Sequence, residues 1–256
     1  MAAGQTFALS GAATLRVDGV TFFNSDVSGT FLNGLGSGVA TCHITFNAVT
    51  VNVADTWSYG SCSLTAERSK LAWIGSNPGQ QHVAISNGDF TFRHGIIKDA
   101  GVWVITNSRA LISNVVFLNT QRAALQIGGT GNGNSDISFS TFINSPLDQT
   151  LNAPRADISN CIISGGGLAP NAVNGNGYLV HYSLLQPQSA APPGSDHTLL
   201  NVDPQFTSTP AGDYHLMGTS PAVNAADPLS TLADDLEGTM RPQGSGRDLG
   251  AYEYKP

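Results

Sequence analysis

The sequence predicts an all-β chain: a single-stranded right-handed parallel β-helix of about eight coils, closed by a C-terminal capping segment. Three observations carry this: a phrase recurring at coil-length intervals, a composition poor in charge, and a change of sequence grammar near residue 199. The expected organisation is one continuous domain, with coils over residues 1–198 and terminal coils plus cap over 199–256.

The phrase is Ile85-Ser86-Asn87, Ile112-Ser113-Asn114, Ile137-Ser138-Phe139 and Ile158-Ser159-Asn160, with weaker copies starting at Val17, Ile44, Ala66 and Val180. Successive starts lie 27, 22, 19, 27, 25, 21 and 22 residues apart. That is one solenoid turn with loop insertions, whereas tandem hairpins would turn every 8–12 residues. With the first residue as position 0, position 5 holds Phe22, Val49, Leu71, Phe90, Phe117, Phe142, Ile163 and Leu185. Position 3 is often small or apolar (Val20, Val115, Cys161) and shares a face with position 5 by the two-residue period of a strand. Position 0 has the other parity, so a corner falls between them. Asn87, Asn114 and Asn160 at position 2, and Asn24, Asn119 and Asn144 at position 7, are expected to turn corners, because asparagine tolerates left-handed backbone. Stacked asparagines can also bond along a ladder, so these are read as structural. Eight coils at ~4.8 Å would make a rod roughly 35–40 Å long.

Composition fits this plan and excludes others. Of 256 residues, 11% are charged, against roughly 25% in an ordinary domain, while glycine supplies 29 and asparagine 19. A coiled coil needs dense Glu, Lys and Arg, and a disordered chain would not be 41% hydrophobic. No apolar run approaches the ~18 residues of a membrane span. The net charge of -7 argues against a nucleic-acid partner. Met1 to Phe7 has no secretory pattern and reads as the cut edge of a longer chain. Cys42 and Cys62 fall about one coil apart, within reach of a disulfide, and Cys161 reads as a small buried residue.

Beyond residue 199 the chain reads Asp203-Pro204-Gln205-Phe206, Gly212-Asp213-Tyr214-His215-Leu216, Ser220-Pro221-Ala222-Val223-Asn224, Asp235-Leu236-Glu237-Gly238, Arg241-Pro242 and Asp248-Leu249-Gly250-Ala251-Tyr252-Glu253-Tyr254. This ordered set over about 56 residues resembles the choice-of-anchor Q domain family of bacterial extracellular proteins. The family's usual wording is DPxF, GDYxL, SPAIDAG, DxxGxxRP and DIGAYEY. Asn224-Ala225-Ala226 departs from it where the family has Asp-Ala-Gly. The resemblance implies an extracellular or cell-surface right-handed β-helix, distantly like the β-helix polysaccharide lyases, and supplies no catalytic residues. Physically, the charges of this stretch suit cap-building ion pairs over an open solenoid end.

A second charged cluster sits on the third and fourth coils: Glu67, Arg68, Lys70, Asp89, Arg93, His94, Lys98 and Asp99. Lys70 and Asp89 both occupy position 4 and are expected side by side on one outward strip. Arg93 and His94 would lie just past the next corner, with Arg122 about a coil further. Two readings stand. One is an ordinary solvated ion pair between Lys70 and Asp89. The other is an enzyme site: a polysaccharide lyase on a uronate-containing polymer, with Lys70, Arg93 or His94 as base or neutralising cation and Asp89 orienting one of them or helping hold Ca2+, or a glycoside hydrolase, which needs two carboxylates about 5–9.5 Å apart and for which Glu67 and Asp89 are the nearby pair. Glu67, Trp73 and Arg122 are the expected substrate-binding residues; Trp57, Tyr59 and Trp73 suit stacking on sugars or packing within a loop. The partner expected is a polysaccharide or cell-surface glycan. Calcium, at Asp89, is the only cofactor considered; the loop from Gly128 to Asp136 resembles a calcium nonapeptide but has glycine at 133 where an Asp ligand is expected, and reads as a flexible loop between coils. A non-catalytic surface, adhesive or filament-forming module is the alternative.

Overall fold

The computed structural model describes residues 7–10, 14–19, 21–23, 32–35, 42–53, 57–60, 62–73, 81–104, 108–120, 125–127, 133–149, 155–166, 168 and 177–256. Among them the chain is an all-β parallel solenoid with three strand ladders and no α-helix. The first face stacks Thr14–Asp18, Cys42–Asn47, Cys62–Glu67, the first halves of Phe90–Lys98 and Ala110–Leu118, then Ser135–Ser138, Ala156–Ser159 and Tyr178–His181. The second face stacks Thr21–Phe23, Thr50–Val53, Lys70–Trp73, the second halves of the two long strands, Thr141–Ile143, Ile162–Ser164, Leu184–Gln186 and Leu199–Leu200. A separate seven-stranded sheet, from Phe7–Ser10 to Leu147–Gln149, forms the third face. Among the described strands Phe206–Ser208 and Asp213–Leu216 pair antiparallel, and Asp234 and Met240 form an isolated antiparallel bridge.

The two-residue strand period fills the interior. Phe46, Ala66, Phe92, Ile112, Ile137, Ile158 and Val180 form one buried column, and Val51, Leu71, Ile97, Phe117, Phe142, Ile163 and Leu185 another. Phe117 and Phe142 stack face to face at 4.4 Å. The corner between these columns is left-handed at every turn described: Gly19, Ala48, Arg68, His94, Asn114, Phe139, Asn160 and Tyr182 all have positive φ. Just past it, inward serines bond across turns, with Val49 N, Val115 N and Cys161 N donating to Ser69, Ser140 and Ser183 Oγ at 3.1–3.2 Å. At these three turns the corner N–H that leaves the ladder thereby keeps a partner inside the core. Cys161 occupies this serine position, buried, with its thiol pushed up to about 12 by that burial. Gly95 sits there too; a Cβ would run into the Phe92 ring and the Ser69 carbonyl oxygen. The expected asparagine ladder exists at the second corner, where Asn144 Nδ2 donates to Asn119 Oδ1 at 3.2 Å.

Two register expectations are corrected. Ile85 lies in Gln81–Ser86 on the third face, opposite Tyr59 and Val104, so the turn equivalent to Ile112-Ser113-Asn114 is Phe92-Arg93-His94. Ile44 is two residues early, since Phe46 pairs with Ala66. Both errors arise because each turn offers several apolar residues of the right parity, and the phrase at Ile85 copies the corner of a different face. Cys42 and Cys62 are direct register partners on adjacent strands; their side chains lie outside the described residues.

The C-terminal segment lies along the flank of the second face. Position 4, which points away from the core, carries Thr21, Thr50 and Lys70 and then Ile96, Val116, Thr141, Ile162 and Leu184. Val116, Ile162 and Leu184 are buried although they point outward, because Tyr214, Leu216, Ala222, Leu249 and Ala251 pack over them. Gly250 N donates to Asn160 O at 2.8 Å and Ala251 N to Thr141 Oγ1 at 2.9 Å. At Gly250 (φ +85°) a side chain would collide with Thr141 and Ile162, so glycine permits this approach. Arg241 pins the segment from within: it donates to Glu253, Asp248 O and Gly250 O at 2.8–3.0 Å and lies 4.8 Å over the Phe139 ring. No helix among the described residues is long and apolar enough to cross a membrane.

Candidate functional site

Where the apolar outward column begins, the covering segment stops and a cleft of about 300 Å³ opens. Arg68, Lys70 and His94 line it from the solenoid, and Leu236, Glu237 and Tyr252 from the C-terminal segment. Local backbone sets each group. Arg68 and His94 stand on left-handed corners of consecutive turns, and Lys70 opens the next strand with its side chain exposed. On the opposite wall Asp235 Oδ1 accepts from Glu237 N at 2.9 Å and Thr239 N at 2.7 Å. That closes the turn presenting Glu237, and Leu236 N to Ala251 O at 2.9 Å fixes it beside Tyr252.

His94 is the most constrained group. Its Nδ1 lies 2.8 Å from Glu67 Oε1 and its Nε2 3.1 Å from Asp234 Oδ1, with the side chain 14% exposed. Asn114 Nδ2 reaches His94 Nε2 at 3.0 Å and donates to Asp234 O at 2.8 Å, tying the flank to this corner. Across the cleft, His215 Nδ1 lies 2.6 Å from Asp213 Oδ1 and Nε2 3.2 Å from Glu237 Oε2. Burial lowers the His215 pKa, but the bonds to Asp213 and Glu237 outweigh it and the net shift is upward. The same contact holds the Asp213 carboxyl below its usual range. The Tyr252 ring lies 4.2 Å from that of His215, and its phenol is pushed up to about 12 by burial, then by the Glu237, Asp235 and Asp213 charges. It stays a neutral hydrogen-bond donor.

Three predicted residues therefore meet here: Lys70 and His94 in the cleft, and Glu67 behind His94. Arg93 stands exposed on the first face beside Glu67 in register, before the corner instead of past it. Asp89 is not beside Lys70. The register partners of Lys70 are Thr50 and Ile96, and Asp89 pairs with Arg109 at 2.9 Å, because Lys70 and Asp89 belong to different faces. The side chains of Trp57, Tyr59 and Trp73, and all of Arg122, lie outside the described residues. Among the described residues no group of three or more His, Cys, Asp or Glu is placed to hold a metal ion. Sequence reasoning missed Asp234, Glu237, Tyr252 and His215 as parts of this site. Their charges were visible, but the turn they lie against is set by tertiary contacts. The available signal was the outward column, where Val116, Ile162 and Leu184 announce a covered flank. The lining offers two cations, an aromatic hydroxyl and a carboxylate around an open cleft, a set suited to a hydroxyl-rich anionic ligand. No protein-family model matches the chain, and no curated protein is significantly similar to it.

Proposed function

We propose that the chain is an extracellular carbohydrate-interacting β-helix whose cleft binds an acidic, uronate-containing saccharide. The observation that carries this is the meeting of Arg68, Lys70 and Tyr252 around one open cleft. Two cations suit a sugar carboxylate, and an aromatic hydroxyl suits the ring and its hydroxyl groups. The full reading has about eight right-handed coils, a closing C-terminal segment of the choice-of-anchor Q kind, and a Cys42–Cys62 bridge between neighbouring turns. Catalysis, if present, is β-elimination. In that step Arg68 alone neutralises the carboxylate, Lys70 acts as the unprotonated amine and takes the C5 proton, the C4–O bond breaks to leave a C4=C5 double bond, and Tyr252 protonates the departing oxygen.

Binding and release of unsaturated product, measured on a panel of uronate polysaccharides with and without calcium, test this. Lys70→Ala is expected to weaken binding at least tenfold with folding intact. Unchanged binding in that variant, or none by the wild type, overturns it. One observation favours a non-catalytic module over a lyase with His94 as its base: both His94 ring nitrogens already face protein carboxylates. Saccharide binding without turnover is the outcome that supports it.

A further inference from the structure

Glu237 joins the cleft to a charged pair behind it. Its carboxylate lines the cleft with Arg68 and Lys70, while Oε2 lies 3.2 Å from His215 Nε2, whose other nitrogen is held by Asp213 at 2.6 Å. The groups facing His215 are Asp213 from its own strand and Glu237 and Tyr252 from the C-terminal segment. On the other side of the cleft Glu67 faces both His94 and, at 3.8 Å, Arg68, and Asp234 faces His94. One proton on His215 therefore decides whether Glu237 stands as half of an ion pair or as an uncompensated carboxylate beside two cations.

We propose that the Asp213–His215–Glu237 relay sets the charge selectivity of the cleft. With His215 protonated, Glu237 is neutralised and Arg68 and Lys70 draw an anionic ligand. With His215 neutral, Glu237 opposes them and the preference for anions is lost. Its ligand, an acidic saccharide, rests on the function proposed above; the relay rests on the contacts. His215 is a positioning residue that acts through Glu237. The upward displacement of its pKa extends the anion-accepting state toward neutral pH.

The test reads the field at Lys70 directly. Its modification by an anionic amine reagent, divided by that by a neutral one, cancels the amine's own ionisation and is followed by peptide mass spectrometry. In the wild type this ratio is expected to fall about two- to threefold between about pH 6 and pH 9, the effect of one screened unit charge nearby. In His215→Gln the fall is expected to shrink well below that of the wild type, and in Glu237→Gln, which keeps the His215 charge, the ratio is expected to be higher throughout. A wild-type profile persisting in His215→Gln, or a flat profile in the wild type, overturns the relay. A uronate panel that fails at every pH overturns the saccharide reading alone, since the Lys70 ratio still decides the relay.

Discussion

One outward column of the solenoid has two characters. At Thr21 and Lys70 it is exposed and at Thr50 half-buried; through Val116, Ile162 and Leu184 it is buried, though its side chains point away from the core throughout. The backbone is the same on both stretches, so the difference lies in what covers it. Side-chain parity says which face a residue occupies, while the C-terminal segment decides whether that face is surface or interior. The cleft lies at the step between the two stretches, with bare solenoid on one wall and the end of the cover on the other.

The strongest way to break the contrast is to release the cover. Arg241 and Glu253 pair at 2.9 Å with side chains 0% and 1% exposed, so Arg241→Ala strands a buried carboxylate. A loss of about 3–5 kcal/mol in urea unfolding is expected. The double change Arg241→Met with Glu253→Leu should recover most of it, since it removes both charges together. Next in size is the covered column itself. Ile162→Ala should cost about 2–4 kcal/mol, whereas Thr50→Ala, at the equivalent outward position on the bare stretch, should stay within about 0.5. Equal costs at the two sites would mean that the cover contributes nothing.

Much of the solenoid was legible because its constraints are periodic. The inward column through Leu71, Phe117, Phe142 and Ile163 follows from strand parity, and the Asn119–Asn144 bond from two asparagines at one corner. Register was harder. Ile85-Ser86-Asn87 and Ile112-Ser113-Asn114 read alike yet sit on different faces, and that slip placed Asp89 beside Lys70. The site was half legible. Glu67, Lys70 and His94 come from consecutive turns, where spacing informs, but Asp234, Glu237 and Tyr252 arrive from over 130 residues downstream through contacts that no local pattern encodes.

A smaller effect comes from pH. Asp248 accepts from Asn224 N and Tyr254 N, yet burial raises its pKa to about 6. Its folded value exceeds the ordinary carboxylate one, so between about pH 4 and 6 the native state keeps a proton that the unfolded chain has lost. Stability therefore rises as pH falls through that window. Urea unfolding at pH 5 should show about 1–2 kcal/mol more stability than at pH 7.5. His215, also displaced upward, works in the same direction, and Asp213, displaced downward, opposes both at more acid pH. The part of the difference that disappears in Asp248→Asn belongs to the covered segment.

The smallest effect on stability sharpens the comparison most. Lys70 stands one turn before Ile96, where the outward column turns apolar. If apolar character alone recruited the cover, Lys70→Ile would extend the docking face by a turn and stabilise the fold by about 1 kcal/mol or more. The cleft geometry predicts otherwise. Leu236, Glu237 and Tyr252 stand across the opening, and Glu237 is held back by His215 at 3.2 Å, so the new side chain would meet water and a carboxylate. Stability in Lys70→Ile should change by less than about 0.5 kcal/mol while affinity for an acidic saccharide falls. A clear gain in stability would mean that the segment closes over Lys70, and that the step in the column marks the end of a lid where a binding cleft was inferred.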